Sequence, residues 1–258
     1  MEHLNIEASV INANAWNGIQ VGIPALSAFM GFMHGLERKI IKKVPCEFSG
    51  LAIGVKEFEM REFSSHGNHF LNLPLTGDIP VEDSKINRHI MNQAYIDLVL
   101  SFVIGVNNHS DFDIKDLQKI IQHYMNFMRI AGGTIVDYNV MFLPDDYIPP
   151  AFYIKDCTMD MLSYPGDDIL HKMINALEDS DKHYCVIANG FRAISPIGHV
   201  KGQRDSAYPH VFAEQTYTLI QYVSAKHIDN INDFMFHYHY DDDSYLCTQN
   251  FNPVREAL

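Results

Sequence analysis

The sequence predicts a mixed α/β (α+β) fold: a β-α-β-β-α-β domain over residues 1–140, followed by an elaborated second half over 141–258. Three observations carry this. Leu4, Ile6, Ala8 and Val10 alternate with Asn5, Glu7, Ser9 and Ile11, the period of a strand with one core face. Two long stretches show apolar residues at spacings of three and four, the period of a helix packed on one side. Each of these stretches lies between strand-like runs, which gives two consecutive β-α-β units and so a ferredoxin-like arrangement.

Taken in order, the first strand leads into an Asn- and Gly-rich loop, Asn12 to Ile23, and then a helix opening at Pro24. Proline suits a first helical turn because its missing N–H has no intrahelical partner there. Leu26, Phe29, Met30, Met33, Leu36 and Ile40 form the buried face, and His34 beside them reads as a packed histidine. Gly31 and Gly35 weaken a helix interior by about 1 kcal/mol each, which implies a close neighbour at both. Arg38, Lys39, Lys42 and Lys43 complement the negative helix end, and Pro45 stops it. Phe48 to Val55 is a second, largely buried strand. Residues 64–92 are polar and broken by Gly67, Pro74, Gly77 and Pro80, and they read as a long loop. Ile96 to Val106 is the clearest strand of the chain. Asp111 or Asp113 then caps a helix carrying Ile114, Leu117, Ile120, Ile121, Tyr124, Met125 and Met128, ended by Ala131-Gly132-Gly133. Thr134 to Val140 completes the second unit.

The second half is less regular. Pro144, Pro149 and Pro150 mark a connection without elements. A short helix (Ile169 to Leu177), a strand (Tyr184 to Ala188), a helix-compatible stretch (Phe212 to Ala225) and a late alternating strand (Phe234 to Tyr240) follow.

Composition bounds the function. The 258 residues are 47% hydrophobic and 20% charged, as in a globular protein, with no apolar run long enough to span a membrane and no signal peptide, so a cytoplasmic location is expected. Cys46, Cys157, Cys185 and Cys247 are scattered, without the paired spacing of a structural zinc site. The net charge of −13 argues against a free-standing RNA binder, whose affinity depends on phosphate contacts. The charge is segregated, however: acid over Glu178–Asp181 and Asp229–Asp243, base over Arg38–Lys43 and Arg192–Arg204. A local basic patch is enough for a subunit that meets a few nucleotides inside an assembly.

Three groups of residues are candidates for binding. Asn12, Asn14 and Trp16 lie in the loop before a helix N-terminus, where free N–H groups favour phosphate and a single indole can stack on a base. The competing reading has Trp16 in the core and the asparagines capping a turn. Arg38 and Lys39 either contact phosphate or form a solvated helix end. Arg192 and the glycine-flanked run with Lys201, Gln203 and Arg204 form a basic loop that backbone-contacting RNA would suit. His237 and His239 before Asp241–Asp243 have the residue types of a metal site, but alternation with aromatics explains them as a strand and an acidic turn. No metal, cofactor or catalytic constellation is assigned.

The run NANAWNGIQVGIPALSAFMGFMHGLERK, from Asn12 to Lys39, resembles the N-terminal signature of the second Csy proteins, Cas-five-group members of the RAMP superfamily in the type I-F CRISPR surveillance (Csy) complex. Arg129 to Ile135 and Ala213 to Leu219 are supporting matches. The chain is short for that family, and 64–92 follows no pattern it shares. The resemblance implies a RAMP-type ferredoxin-like domain over 1–140 and a non-catalytic subunit that binds the 5′ handle of the guide RNA (crRNA). It also implies docking to the large and backbone subunits, and contact with target DNA only through the guide. A thumb over the RNA falls at 64–92, and the second half becomes an elaboration or a second lobe. A crRNA-coating backbone subunit of a pared-down system, a repeat-processing endoribonuclease and an acidic protein-interaction module are the alternatives.

Overall fold

The computed structural model describes residues 2–65, 68–70, 72–79, 87–108, 113–199, 207–241 and 243–249, with the backbone alone at 63–93 and 108. Its elements are β1 (Glu2–Asn14), α1 (Leu26–Ile40), β2 (Cys46–Met60), β3 (Phe63–Ser65), β4 (Asn68–Phe70), β5 (Asn72–Ile79), β6 (Asn87–Asn108), α2 (Ile114–Met125), β7 (Arg129–Ile130) and β8 (Gly133–Phe142). The second half adds β9 (Phe152–Asp156), α3 (Thr158–Leu162), α4 (Ile169–Leu177), β10 (Cys185–Ala193), β11 (Ala213–Ser224), β12 (His237–Tyr240) and β13 (Ser244–Thr248).

Hydrogen bonding joins the strands in the order β12-β13-β10-β11-β9-β2-β6-β1-β8-β7, with β5 on the extended end of β6. In the first half β1 pairs antiparallel with both β6 and β8, and β6 pairs antiparallel with β2. The order β8-β1-β6-β2 therefore separates each strand from the next parallel one by an antiparallel neighbour. The ladder to the second half is short, with β9 meeting β2 at Gly54 and Val55 and Leu51 bridging Phe236, but Ile154, Ile187, Ile220, Phe236 and Cys247 share the core of the first half.

The alternation of β1 and β6 places Leu4, Ile6, Ala8, Val10, Leu98, Leu100, Phe102 and Ile104 under α1 and α2. Phe29 and Phe102 meet edge to face at 5.6 Å, a geometry that adds about 0.5–1.5 kcal/mol beyond area burial. The opposite face carries Ala52, Val103 and Tyr153 beneath Ile228, Ile231 and Met235. Cys157, Met161, Ala176 and Leu219 anchor α3 and α4 on β11. No described helix is long and apolar enough to cross a membrane.

Several expectations change. The helix opens at Leu26 rather than Pro24, because Ala25 is extended (φ −54°, ψ 144°). A Cβ at Gly31 would meet nothing within 4 Å, so that glycine is not set by packing, whereas at Gly35 it would reach Met128 Cε at 3.4 Å. His34 is half-exposed at the surface, 3.6 Å from Glu37 and edge-on to Tyr238. Asp113 caps α2 by accepting from the Lys115 N–H. Ala131-Gly132 does not close that helix. With φ of 49° and 76° they form the two-residue turn of the β7–β8 hairpin, the positive-φ pair that matches strand twist. Residues 64–92 hold strands where a loop was expected, since β5 pairs with residues 87–94 of β6 and β3 with β4. Residues 213–224 are β11, not a helix, and the late strand starts at His237, after a 3₁₀ turn at Ile231–Phe234.

Candidate nucleic-acid interface

The Asn-rich motif sits where β1 breaks its register. Val10 pairs with Leu98 and Ala13 with Ile96, so one residue too many lies between them, and Asn12 takes up the excess at φ 57°. Bulges of this kind re-aim side chains and end pairing. The exposed Asn12 gives its N–H to Asp97 Oδ1 at 2.8 Å, and Arg61 holds the same carboxylate at 2.7 and 3.1 Å. Burial alone would raise the Asp97 pKa, but the Arg61 hydrogen bonds, the Asn12 N–H and the Arg61 charge together hold it below the ordinary carboxylate value.

Asn14 clamps the next turn. Its side chain accepts from the Trp16 N–H at 3.0 Å and donates to the Trp16 carbonyl at 3.1 Å. Its backbone N–H reaches the Ala131 carbonyl at 2.9 Å, which brings the β7–β8 turn against the motif. Trp16 is half-buried against the main core and bridges Val21, so the segment doubles back as a small hairpin with its tip at Asn17–Gln20. That tip rests on the second half. Tyr217 Oη donates to the Asn17 carbonyl at 3.0 Å and accepts from the Ile19 N–H at 3.2 Å, and Gln20 donates to the Val186 carbonyl.

The structure therefore gathers four features at one end of the sheet: Asn12, Asn14 and Trp16, the Ala131-Gly132 turn, the Arg61–Asp97 pair, and the β5–β6 hairpin, which leaves β6 directly beyond Ala94 and Tyr95. Arg129 stands in β7 beside this turn, exposed, its guanidinium 3.3 Å from the Gly132 carbonyl. Neither Arg61 nor Arg129 was named as a contact from the sequence, although Arg129 opens a stretch that supports the family resemblance. Isolated arginines carry no local signal, and only the long-range pairing of β1 with β6 and β8 brings them to Asn12.

The other candidates lie elsewhere. Arg38 and Lys39 are exposed, twelve and thirteen residues along α1 from Leu26, or roughly 18–20 Å at 1.5 Å per residue. Lys39 Nζ lies 5.8 Å from the Tyr124 ring. Arg192 pairs with Glu214, so its side chain leaves the β10–β11 ladder on the face opposite Gln215 and Tyr217, and its Nε lies 3.7 Å from Asp243. Lys201, Gln203 and Arg204 lie outside the described residues.

A family model described as CRISPR-associated protein (Cas_Csy2) matches residues 4–151 and 168–247. The chain belongs to the Cas_Csy2 family. A relative in that family, CRISPR-associated protein Csy2 of Pseudomonas aeruginosa (strain UCBPP-PA14), is 27% identical over 133 residues, 50% of this chain. The aligned stretch spans 40% of that relative's length. The Cas_Csy2 match covers the bulge, the clamp and the turn around Asn14, as well as most of the second half that receives the loop tip.

Proposed function

We propose that this chain is a non-catalytic subunit of a type I-F Csy surveillance complex and that it holds the 5′ handle of the crRNA. In this reading it docks the large and backbone subunits and meets target DNA only through the guide. The observation that carries the reading is the convergence at Asn12–Trp16. The stretch that bears the family resemblance stands where a bulge, a backbone turn and an extended hairpin meet two arginines. Such a surface suits a bent single strand: amides and arginine for phosphate, and an indole edge for a base.

The strand order β8-β1-β6-β2 supports a RAMP-type ferredoxin-like domain over 1–140, with the β5–β6 hairpin as its thumb and 141–258 as a second lobe. Arg38 and Lys39 would meet a later stretch of RNA, and Arg192 another, since neither adjoins Asn12; Lys201, Gln203 and Arg204 would serve as the further contacts of the basic loop that follows Arg192. With an exterior of net charge −13, affinity is concentrated in these few cations.

The test is the salt dependence of guide-RNA retention in the Arg61→Ala/Arg129→Ala variant. Each lost phosphate contact lowers the slope of log K against log salt by roughly 0.7 for a single strand. A weakened, flatter dependence supports the assignment. Unchanged affinity and slope refute it.

A further inference from the structure

The β10–β11 hairpin continues beyond the sheet as an arm. Ile194 donates to the Phe212 carbonyl at 2.8 Å, and Gly198 and His210 exchange backbone bonds at 2.9 and 2.7 Å. Phe191, Ile194, Ile197, Tyr208, Val211 and Phe212 are all exposed on this arm, at 41–66%. None of the six belongs to a described hydrophobic cluster. Strand alternation puts Phe191 and Ile194 on opposite faces, so the arm is bare on both sides. Its stem is also uncharged: residues 193–199 and 207–213 contain no Asp, Glu, Lys or Arg, in a chain of net charge −13.

A two-stranded hairpin without a core is marginal in water and gains order when something covers it. Its three aromatic rings can each bury roughly 150–250 Å² when fully covered, so the six side chains, divided between two faces, together reach the scale of the largest exposed patches of monomers, roughly 300–600 Å². That is a large part of the roughly 800 Å² one partner contributes to a standard interface. We infer that the stem of this arm, residues 193–199 and 207–213, packs with both faces covered against an apolar cleft of another protein subunit of the assembly. The inference rests on the reading of this chain as a Csy-complex subunit and names the surface by which it docks. RNA fits the stem poorly. Its described residues 193–199 and 207–213 offer no Lys or Arg for phosphate, and three of the six exposed side chains are aliphatic, with no ring to stack. A second copy fits poorly too, because two chains of net charge −13 repel as they approach.

The experiment uses the full chain, tagged and co-expressed with the other Csy subunits and a guide RNA, as wild type and as Ile194→Ser/Ile197→Ser/Phe212→Ser, which leaves the net charge unchanged. The expected result is a wild type that retains partner subunits and RNA, and a variant that melts as wild type does but retains at least tenfold less partner subunit. The exchange Tyr208→Ser, at the most exposed of the six, repeats the test outside the paired strands and is expected to weaken retention at least threefold. Full retention by both variants overturns the arm as a docking surface and leaves the RNA-holding reading standing. Loss of RNA with all subunits retained overturns it in favour of a nucleic-acid surface. A wild-type chain that dimerises alone, while the triple variant stays monomeric, overturns it in favour of a second copy. A wild type that retains RNA but no partner subunit overturns the docking inference itself.

Discussion

Gly18→Ala is the sharpest probe of how the Asn-rich segment is held. Gly18 has φ 89°, and a Cβ there would lie 2.2 Å from Tyr217 Oη and 2.7 Å from Gln215 Oε1. Two costs follow. The left-handed backbone costs a residue with a Cβ about 1–2 kcal/mol. Displacing the Tyr217 hydroxyl breaks its bonds to Asn17 and Ile19, about 0.5–1.5 kcal/mol each. The sum is about 3 kcal/mol. Tyr217→Phe loses the same two bonds and the hydroxyl's 3.2 Å bond to Gln215 Oε1, about 2–3 kcal/mol in all, and adds nothing further in the Gly18→Ala background, where the hydroxyl is already displaced. Urea denaturation of the two single variants and the double variant gives the cycle. The double variant is expected to be no less stable than Gly18→Ala. Additive losses would refute the contact between the segment tip and β11, and a neutral Gly18→Ala would refute the whole arrangement.

Further outcomes follow from the same geometry. Trp16→Ala should weaken guide-RNA binding by about 1–3 kcal/mol if the indole stacks on a base; loss of thermal stability with RNA affinity intact would return Trp16 to a purely core role. Asp97 titrates below its ordinary value of 3.8, so it contributes stability above about pH 4 that is lost as pH falls through its lower folded value. Asp97→Asn should flatten the acid limb of a stability–pH curve, and an unchanged limb would contradict the Arg61 pairing. Arg192→Ala should cost less than about 1 kcal/mol of stability, because its 3.7 Å pairing with Asp243 is solvent-exposed; a larger loss in thermal melting would show a structural role.

The legible elements were those with a clean apolar period or a long apolar run: β2 and β6 read as strands although both of their faces are buried. β1, α1 and α2 show their periods because the buried apolar residues of each lie on one side. β11 did not, because Leu219 and Ile220 are both buried on opposite faces and erase the alternation that marks a strand. The strands within 64–92 were hidden by Pro74 and Gly77, which the β5–β6 ladder accommodates. The Ala131-Gly132 turn resembles a helix stop because glycine serves both purposes, and only the pairing of Ile130 with Gly133 distinguishes them. At the candidate interface the motif itself was legible, since Asn12, Asn14 and Trp16 cluster in sequence. Its neighbours were not. Arg61 and Arg129 reach it through contacts 49 and 117 residues away from Asn12, counted from their positions, and no local pattern encodes those.

The central claim is that one copy of this chain holds one guide by its 5′ end. It is tested most directly by tagging the chain, expressing it with the other subunits and a repeat-spacer array, and sequencing and quantifying the RNA that co-purifies. One discrete guide RNA per copy of the chain, lost on Arg61→Ala/Arg129→Ala substitution, is the predicted result. Several copies per guide would instead assign the chain to coating the RNA, and no RNA at low salt would contradict the account.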